Sequence, residues 1–187
     1  MRRFATAARR RSACFVGPQS KINRARAKRM NPSQTKSLRD LLQTQQIAAL
    51  GTLHNGQPYV SMAPFAVLPR GDGFVIHVSQ LASHTKDMVL NQQVSLLIVA
   101  PPIPQLPAQA TSRVTIQGLA VPCAESTHGY SEARAAYLSR FPQSADMFAF
   151  ADFSLFVIRP SSVRYVGGFA QATSLTPEAL AETLSNG

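Results

Sequence analysis

The chain has 187 residues and a formal net charge of +10, with 19 Lys and Arg against 9 Asp and Glu. A domain of this length buries roughly two thirds of its unfolded surface in one core, so a second domain is not required. Ten of the nineteen basic residues lie within residues 1–29 and no acidic residue precedes Asp40, so the remaining body is neutral and a nucleic-acid partner is not expected.

Residues 1–29 are Arg-rich, acid-free and without the continuous apolar core of a secretory signal. That composition fits a mitochondrial or plastid transit peptide. Met30-Asn31-Pro32-Ser33 is also a natural beginning for the folded part, which would make the tail an over-extended start, and this reading is preferred. On either reading the tail is expected to be disordered and residues 30–187 to form one domain. Cys14 and Cys123 provide neither a disulfide framework nor metal-ligand spacing, so a reducing, cytoplasmic compartment is expected unless the transit reading holds. No apolar run approaches the roughly 20 residues that span a bilayer, and no membrane partner is expected.

Leucines 38, 41 and 42 give residues 33–46 one apolar face at helical spacing. Residues 47–53 and 59–68 are apolar, β-rich runs around His54-Asn55-Gly56-Gln57, and Asn-Gly is the strongest short signal for a two-residue hairpin turn. Pro69-Arg70-Gly71-Asp72-Gly73 reads as a second turn and residues 74–78 as a third strand. There follow Ser79-Gln80-Leu81-Ala82-Ser83-His84-Thr85-Lys86, where hydroxyls, an imidazole and an ammonium gather at the start of a helix over 85–91. Backbone N–H groups and the positive end of the helix dipole suit a phosphate there. Residues 94–99 form a short continuous apolar strand, and 101–107, with four prolines, a loop. Val114, Ile116 and Leu119 alternate with polar neighbours along a strand over 111–121, in which Gly118 marks a bulge. Residues 126–140 read as a helix capped by Ser126 or Thr127 and ended by Phe141-Pro142. A strand over 153–160 continues through 163–166 into Gly167-Gly168-Phe169, and 176–184 is a short helix capped by Thr176 with Pro177 first. Six strands with few helices and no βαβ rhythm imply a mainly β chain closed into a small antiparallel barrel.

No catalytic acid/base constellation stands out. The nine carboxylates are scattered, and there is no Gly-x-Ser-x-Gly elbow, zinc-binding helix motif or Walker loop. No catalytic residue and no metal site is therefore assigned, and an enzymatic reading needs a cofactor to carry the chemistry. His54 reads as exposed turn polarity, His77 as packed or hydrogen bonded on its strand, and His128 as part of a helix's first turn.

The order of these elements, with the motif from Ser79 through Asp87-Met88 to Gln92-Gln93-Val94-Ser95-Leu96-Leu97 and with Arg164-Tyr165-Val166-Gly167-Gly168-Phe169-Ala170-Gln171-Ala172, resembles the pyridoxamine 5′-phosphate oxidase-related, FMN-binding split-barrel family. Within it the haem-utilisation branch is the most similar, and the resemblance covers about residues 33–172. It implies a six-stranded split barrel that forms a homodimer, with flavin or haem held between the subunits. The strand through Ser61, Met62 and Ala63 is similar to the one that lies along the isoalloxazine, with Ser61 where true oxidases use an arginine. Ser83 and His84 fall where an arginine-lysine pair is expected, Lys86 is a substitute cation, and Arg113 stands at a glutamine position. His77 and Val78 complete the cofactor contacts implied. A bidentate guanidinium and a point charge differ in geometry, so a weaker grip on FMN, or a different phosphate ligand, is expected. On this resemblance the chain is an FMN-binding oxidoreductase acting on an unknown small molecule. Pyridoxamine phosphate is not expected as substrate, because the oxidases' C-terminal substrate-binding segment has no counterpart before Gly187. The alternatives are a haem-binding or haem-degrading protein and a non-catalytic ligand-binding barrel. The haem branch usually takes its iron ligand from a histidine near the C-terminus, and no histidine follows His128.

Overall fold

A computed structural model describes residues 30–169 and 171–185; the expectations for the basic tail and Cys14 lie outside them. Helix α1 (Pro32–Thr44) begins with a capping box: Asn31 Oδ1 accepts the N–H of Gln34, and Gln34 Oε1 accepts the N–H of Asn31. Leu38, Leu41 and Leu42 form its buried face, as their spacing implies.

The hairpin of β1 (Ile47–His54) and β2 (Gln57–Pro64) turns on Asn55 and Gly56, both at positive φ. The alternation of β2 stops at Phe65, whose N–H bonds to Gln46 O at 3.1 Å. The run read as one strand over 59–68 is thus two, the second being β3 (Ala66–Val67). After β4 (Phe74–Ser79) come helix α2 (Ser83–Leu90), β5 (Gln93–Val99) and β6 (Arg113–Cys123). The register of β6 against its neighbour shifts between Gln117 and Gly118, at the glycine singled out in the sequence.

Helix α3 (Tyr130–Arg140) starts four residues later than its apolar pattern implies. Thr127 is spent on a turn, with its Oγ1 accepting the N–H of Ala124, and Gly129 at φ +92° then redirects the chain. A 3-10 segment (Pro142–Ala149) follows that periodicity did not reveal. β7 (Phe153–Val166) runs unbroken through Pro160. It pairs with β4 through residues 153–158 and with β8 (Ala172–Leu175) through 163–166, so Pro160 lies in the gap between two partners, where its missing N–H costs no ladder bond. Helix α4 (Pro177–Ser185) is capped by Thr176 Oγ1, which accepts the N–H of Ala179.

The described residues therefore form eight strands rather than six. Seven follow the order β2-β1-β5-β6-β7-β4-β3, and β8 pairs β7 off that path. All pairings are antiparallel and β2 comes back into contact with β4, curling the sheet into a half-barrel. One core fills the barrel, with Leu50, Phe74, Ile76, Leu96, Ile116, Ile158 and Tyr165 meeting α1, Met88 of α2 and Leu180 of α4. A second lies outside the sheet, where Ala133 and Tyr137 of α3 cover Val75, Leu155 and Val157. Arg140 ties α3 to the end of α1, its guanidinium donating to the carbonyls of Leu42 and Gln45 and lying 5.1 Å from the ring centre of Phe65.

Candidate functional site

Strand alternation decides where the β2 residues point. Ser61 and Ala63 pair with Leu50 and Ala48, and like them sit on the inner side; Val60 and Met62 pair with Gly51 and Ala49 on the outer side. There Val60 is 69% and Met62 57% exposed. Leu97 and Val99 of β5 extend this apolar outer face, and Leu53, Val60, Ser95, Gln117 and Leu119 help line an open trough of about 570 Å³ on it.

Helix α2 packs against β1 and brings its N-terminus to β2. Its cap residue Ala82 supplies no side-chain hydrogen bond, so the first turn presents backbone donors without a side-chain acceptor. Ser79 and Thr85 are already committed to the loop: Ser79 Oγ donates to Asp152 Oδ2 and accepts the N–H of Leu81, while Thr85 Oγ1 donates to Ser79 O. Ser83 and Lys86 are exposed and one helical turn apart, on the same side of α2. His84 turns the other way, its Nδ1 lying 3.0 Å from Ser61 Oγ. Its Nε2 is enclosed and has no hydrogen-bond partner. Burial lowers the His84 pKa, opposed by the charge of Asp87, so the ring is neutral near pH 7.

Asp87 is the buried charge of the site, 3% exposed. Thr52 Oγ1 donates to its Oδ2 and His54 Nδ1 donates to its Oδ1, both at 2.8 Å. Burial pushes the carboxyl pKa up, but the hydrogen bonds from His54 and Thr52 and the nearby His54 and His84 outweigh it, leaving a value below the ordinary one. The sequence reading assigned no role to Thr52, His54 or Asp87. Their meeting depends on α2 lying across β1, which no local pattern in the sequence encodes.

The structure brings Ser61 and His84 together, with Ser83 and Lys86 exposed on the other side of the same helix start. Met62 lies on the outer face of the same strand, whereas Ala63 and Val78 are part of the barrel core. His77 sits on the opposite face of β4, between Phe148, Phe153 and Tyr137. Arg113 opens β6, three strands from β2, about 14 Å away across the sheet. Its guanidinium donates to the carbonyls of Gln109 and Thr111. Among the described residues no group of three or more His, Cys, Asp and Glu is placed to hold a metal ion.

A curled antiparallel half-barrel with peripheral helices, an apolar outer face and a polar helix start at its edge defines the split-barrel class of folds. Residues 34–167 match the pyridoxamine 5′-phosphate oxidase family, and the chain belongs to it. It is 39% identical over 119 residues, 64% of the chain, to the Non-canonical heme oxygenase HOZ, chloroplastic, of Arabidopsis thaliana, and spans only 35% of that protein. It is 26% identical over 155 residues to the Heme oxygenase HutZ of Vibrio cholerae, covering 82% of this chain and 85% of the other. Among solved structures, a heme binding protein from Mycobacterium smegmatis matches with a TM-score of 0.72 and 32% identity, over 82% of this chain and 62% of that one.

Proposed function

We propose that this protein binds haem at the edge of the barrel formed by β2 and α2, and that it belongs functionally with haem-handling members of its family. The carrying observation is the Ser61–His84 pair. Where the resemblance leads one to expect guanidinium and ammonium groups clamping a phosphate, this chain has a neutral imidazole with one nitrogen on a hydroxyl and the other without a protein partner. A ring so arranged fits an iron ligand, because metal-bound histidines commonly bond their second nitrogen to an oxygen that fixes tautomer and orientation. Nε2 is enclosed, so ligation requires α2 or β2 to shift as the group binds. The open start of α2, with Ser83 and Lys86 exposed beside it, suits the carboxylates of a porphyrin. Bound haem would supply redox-active iron, while the chain's residues bind and orient it. The names of the three relatives support this reading, and those of the Arabidopsis and Vibrio proteins add haem breakdown as the activity to test.

FMN is the second reading, favoured by the same uncapped helix start, since a phosphate fits it as well as a carboxylate does. In both readings a second copy of the chain closes the cleft, and a small-molecule substrate or reductant enters beside the ring. The chloroplastic name of the Arabidopsis relative supports a plastid address carried by residues 1–29, against the cytoplasmic expectation, and an organelle import assay with a fluorescent fusion tests it.

Titration with haem and with FMN separates the readings. The expected result is a Soret band on haem addition that shifts or disappears in His84→Ala and is retained in His77→Phe, with no quenching of FMN fluorescence. A Soret band indifferent to His84, together with FMN raising the melting temperature, would return the assignment to a flavoprotein.

A further inference from the structure

Phe148, Phe150 and the start of β7 line a half-open cavity of about 280 Å³ on the side of β4 away from the barrel core, with the end of β6 across from them. It shares no residue with the Ser61–His84 site. His77 lines it, 6% exposed, because alternation along β4 sends Ile76 and Val78 inward and His77 outward. Its ring stacks on Phe148 at 4.0 Å between centroids and 9° between planes, with Phe153 at 5.2 Å. The Arg134 guanidinium carbon lies 4.9 Å from the Phe148 centroid, over the same ring. Cys123, Tyr130 and Phe150 also line the cavity, and Phe150 is 54% exposed.

One feature of this cavity remains unexplained by packing. A buried polar group is normally hydrogen bonded, yet His77 Nδ1 has no partner. Burial holds the imidazole below its ordinary pKa, so it is neutral at pH 7 and carries one proton. With the proton on Nδ1, this enclosed donor lacks a partner in the free chain, and an acceptor seated in the cavity would satisfy it. Burial also raises the Cys123 pKa, against the charge of Arg159, so the thiol offers soft apolar contact rather than a nucleophile.

We propose that this cavity is a second binding site, for a neutral planar heteroaromatic of one or two rings that stacks among the phenylalanines and accepts a hydrogen bond from His77. The size is consistent: a cavity of about 150 Å³ already holds benzene. Quinoline and naphthalene test the idea as an isosteric pair differing in one ring nitrogen, with binding followed by calorimetry on the full chain. Quinoline should bind about tenfold more tightly than naphthalene, the worth of one hydrogen bond to a buried donor. His77→Phe keeps the stack on Phe148 and should erase that ratio, while Phe150→Ala, at an exposed position, should weaken both compounds and leave the ratio intact. Equal affinities in the wild type, a ratio that survives in His77→Phe, indifference to Phe150→Ala, or no binding at millimolar concentration would each overturn the proposal.

Discussion

Asp87 places a carboxylate where water cannot reach it, and two neighbours compensate the cost: Thr52 and His54 each donate to one of its oxygens. Replacing it by asparagine removes the charge that makes those bonds strong. Asp87→Asn should lose about 2 kcal/mol of stability at pH 7, the scale of a hydrogen bond to a charged group. The pH dependence has a definite sign. The folded carboxyl titrates below its ordinary value, so its stabilising contribution is complete above the unfolded pKa of about 3.9 and is lost as pH falls through the depressed one. Urea midpoints of the two proteins should therefore converge as pH drops from 4 toward 2; a constant gap would refute the assignment. His77 acts at a higher pH. Burial lowers its pKa, so the unfolded state takes up its proton first and stability begins to fall below about pH 6.5. In His77→Phe that portion of the acid slope should be missing from the same measurements. Of the residues grouped in the sequence, Ser61 and His84 meet, whereas Ser83 and Lys86 lie on the other side of the helix start, a division the motif alone does not reveal. Asp87 with Thr52 and His54 was not legible, since partners 35 and 33 residues apart meet only through the docking of α2 on β1.

At the scale of elements, β6 and β7 are held in register by one crowded position. A Cβ built on Gly118 would stand 2.3 Å from Arg159 O, a backbone atom that cannot turn aside as a side chain would. Gly118→Ala must push the strands apart at the bulge. The expected cost is about 2 kcal/mol or more, by analogy with overpacked cores, and hydrogen exchange should rise in β6 and β7 around residues 114–122 before it rises in β1. Unchanged exchange there would show the bulge to be slack. This glycine was readable in the sequence because it interrupts a clear alternation, as were the Asn-Gly hairpin, the leucine face of α1 and the Thr176-Pro177 start of α4. What escaped was structure decided by distant partners. β3 is cut from β2 because Phe65 N–H finds Gln46 O, β8 exists because the edge of β7 beyond Pro160 needs a partner, and α3 starts late because Thr127 bonds back to Ala124. None of these hydrogen bonds leaves a periodic trace.

At the scale of the whole molecule, the outer face of β2, β1 and β5 is the surface to explain. Ile47, Val60, Met62, Leu97 and Val99 are all exposed, all large and apolar, and set on neighbouring strands. Scattered singly such residues would need no comment, but a contiguous patch on a sheet is costly to leave in water and is characteristic of a surface between proteins. β2 is also the last strand of the order and runs as an edge beside this patch. A second copy of the chain related by a two-fold axis can cover the same patch on both subunits at once and bring two β2–α2 sites to either side of one interface. The expectation is a dimer at micromolar concentration in sedimentation equilibrium. Val60→Asp combined with Met62→Asp puts two charges of like sign at the centre of the patch in each subunit, and neither side chain belongs to a core, so the fold should survive. This variant should sediment as a monomer with an unchanged far-UV spectrum and a large loss of haem affinity, because each cleft then lacks its second wall. A dimer undisturbed by two aspartates would place the contact elsewhere. A monomer with undiminished haem affinity would show that one β2–α2 edge suffices to hold the ligand.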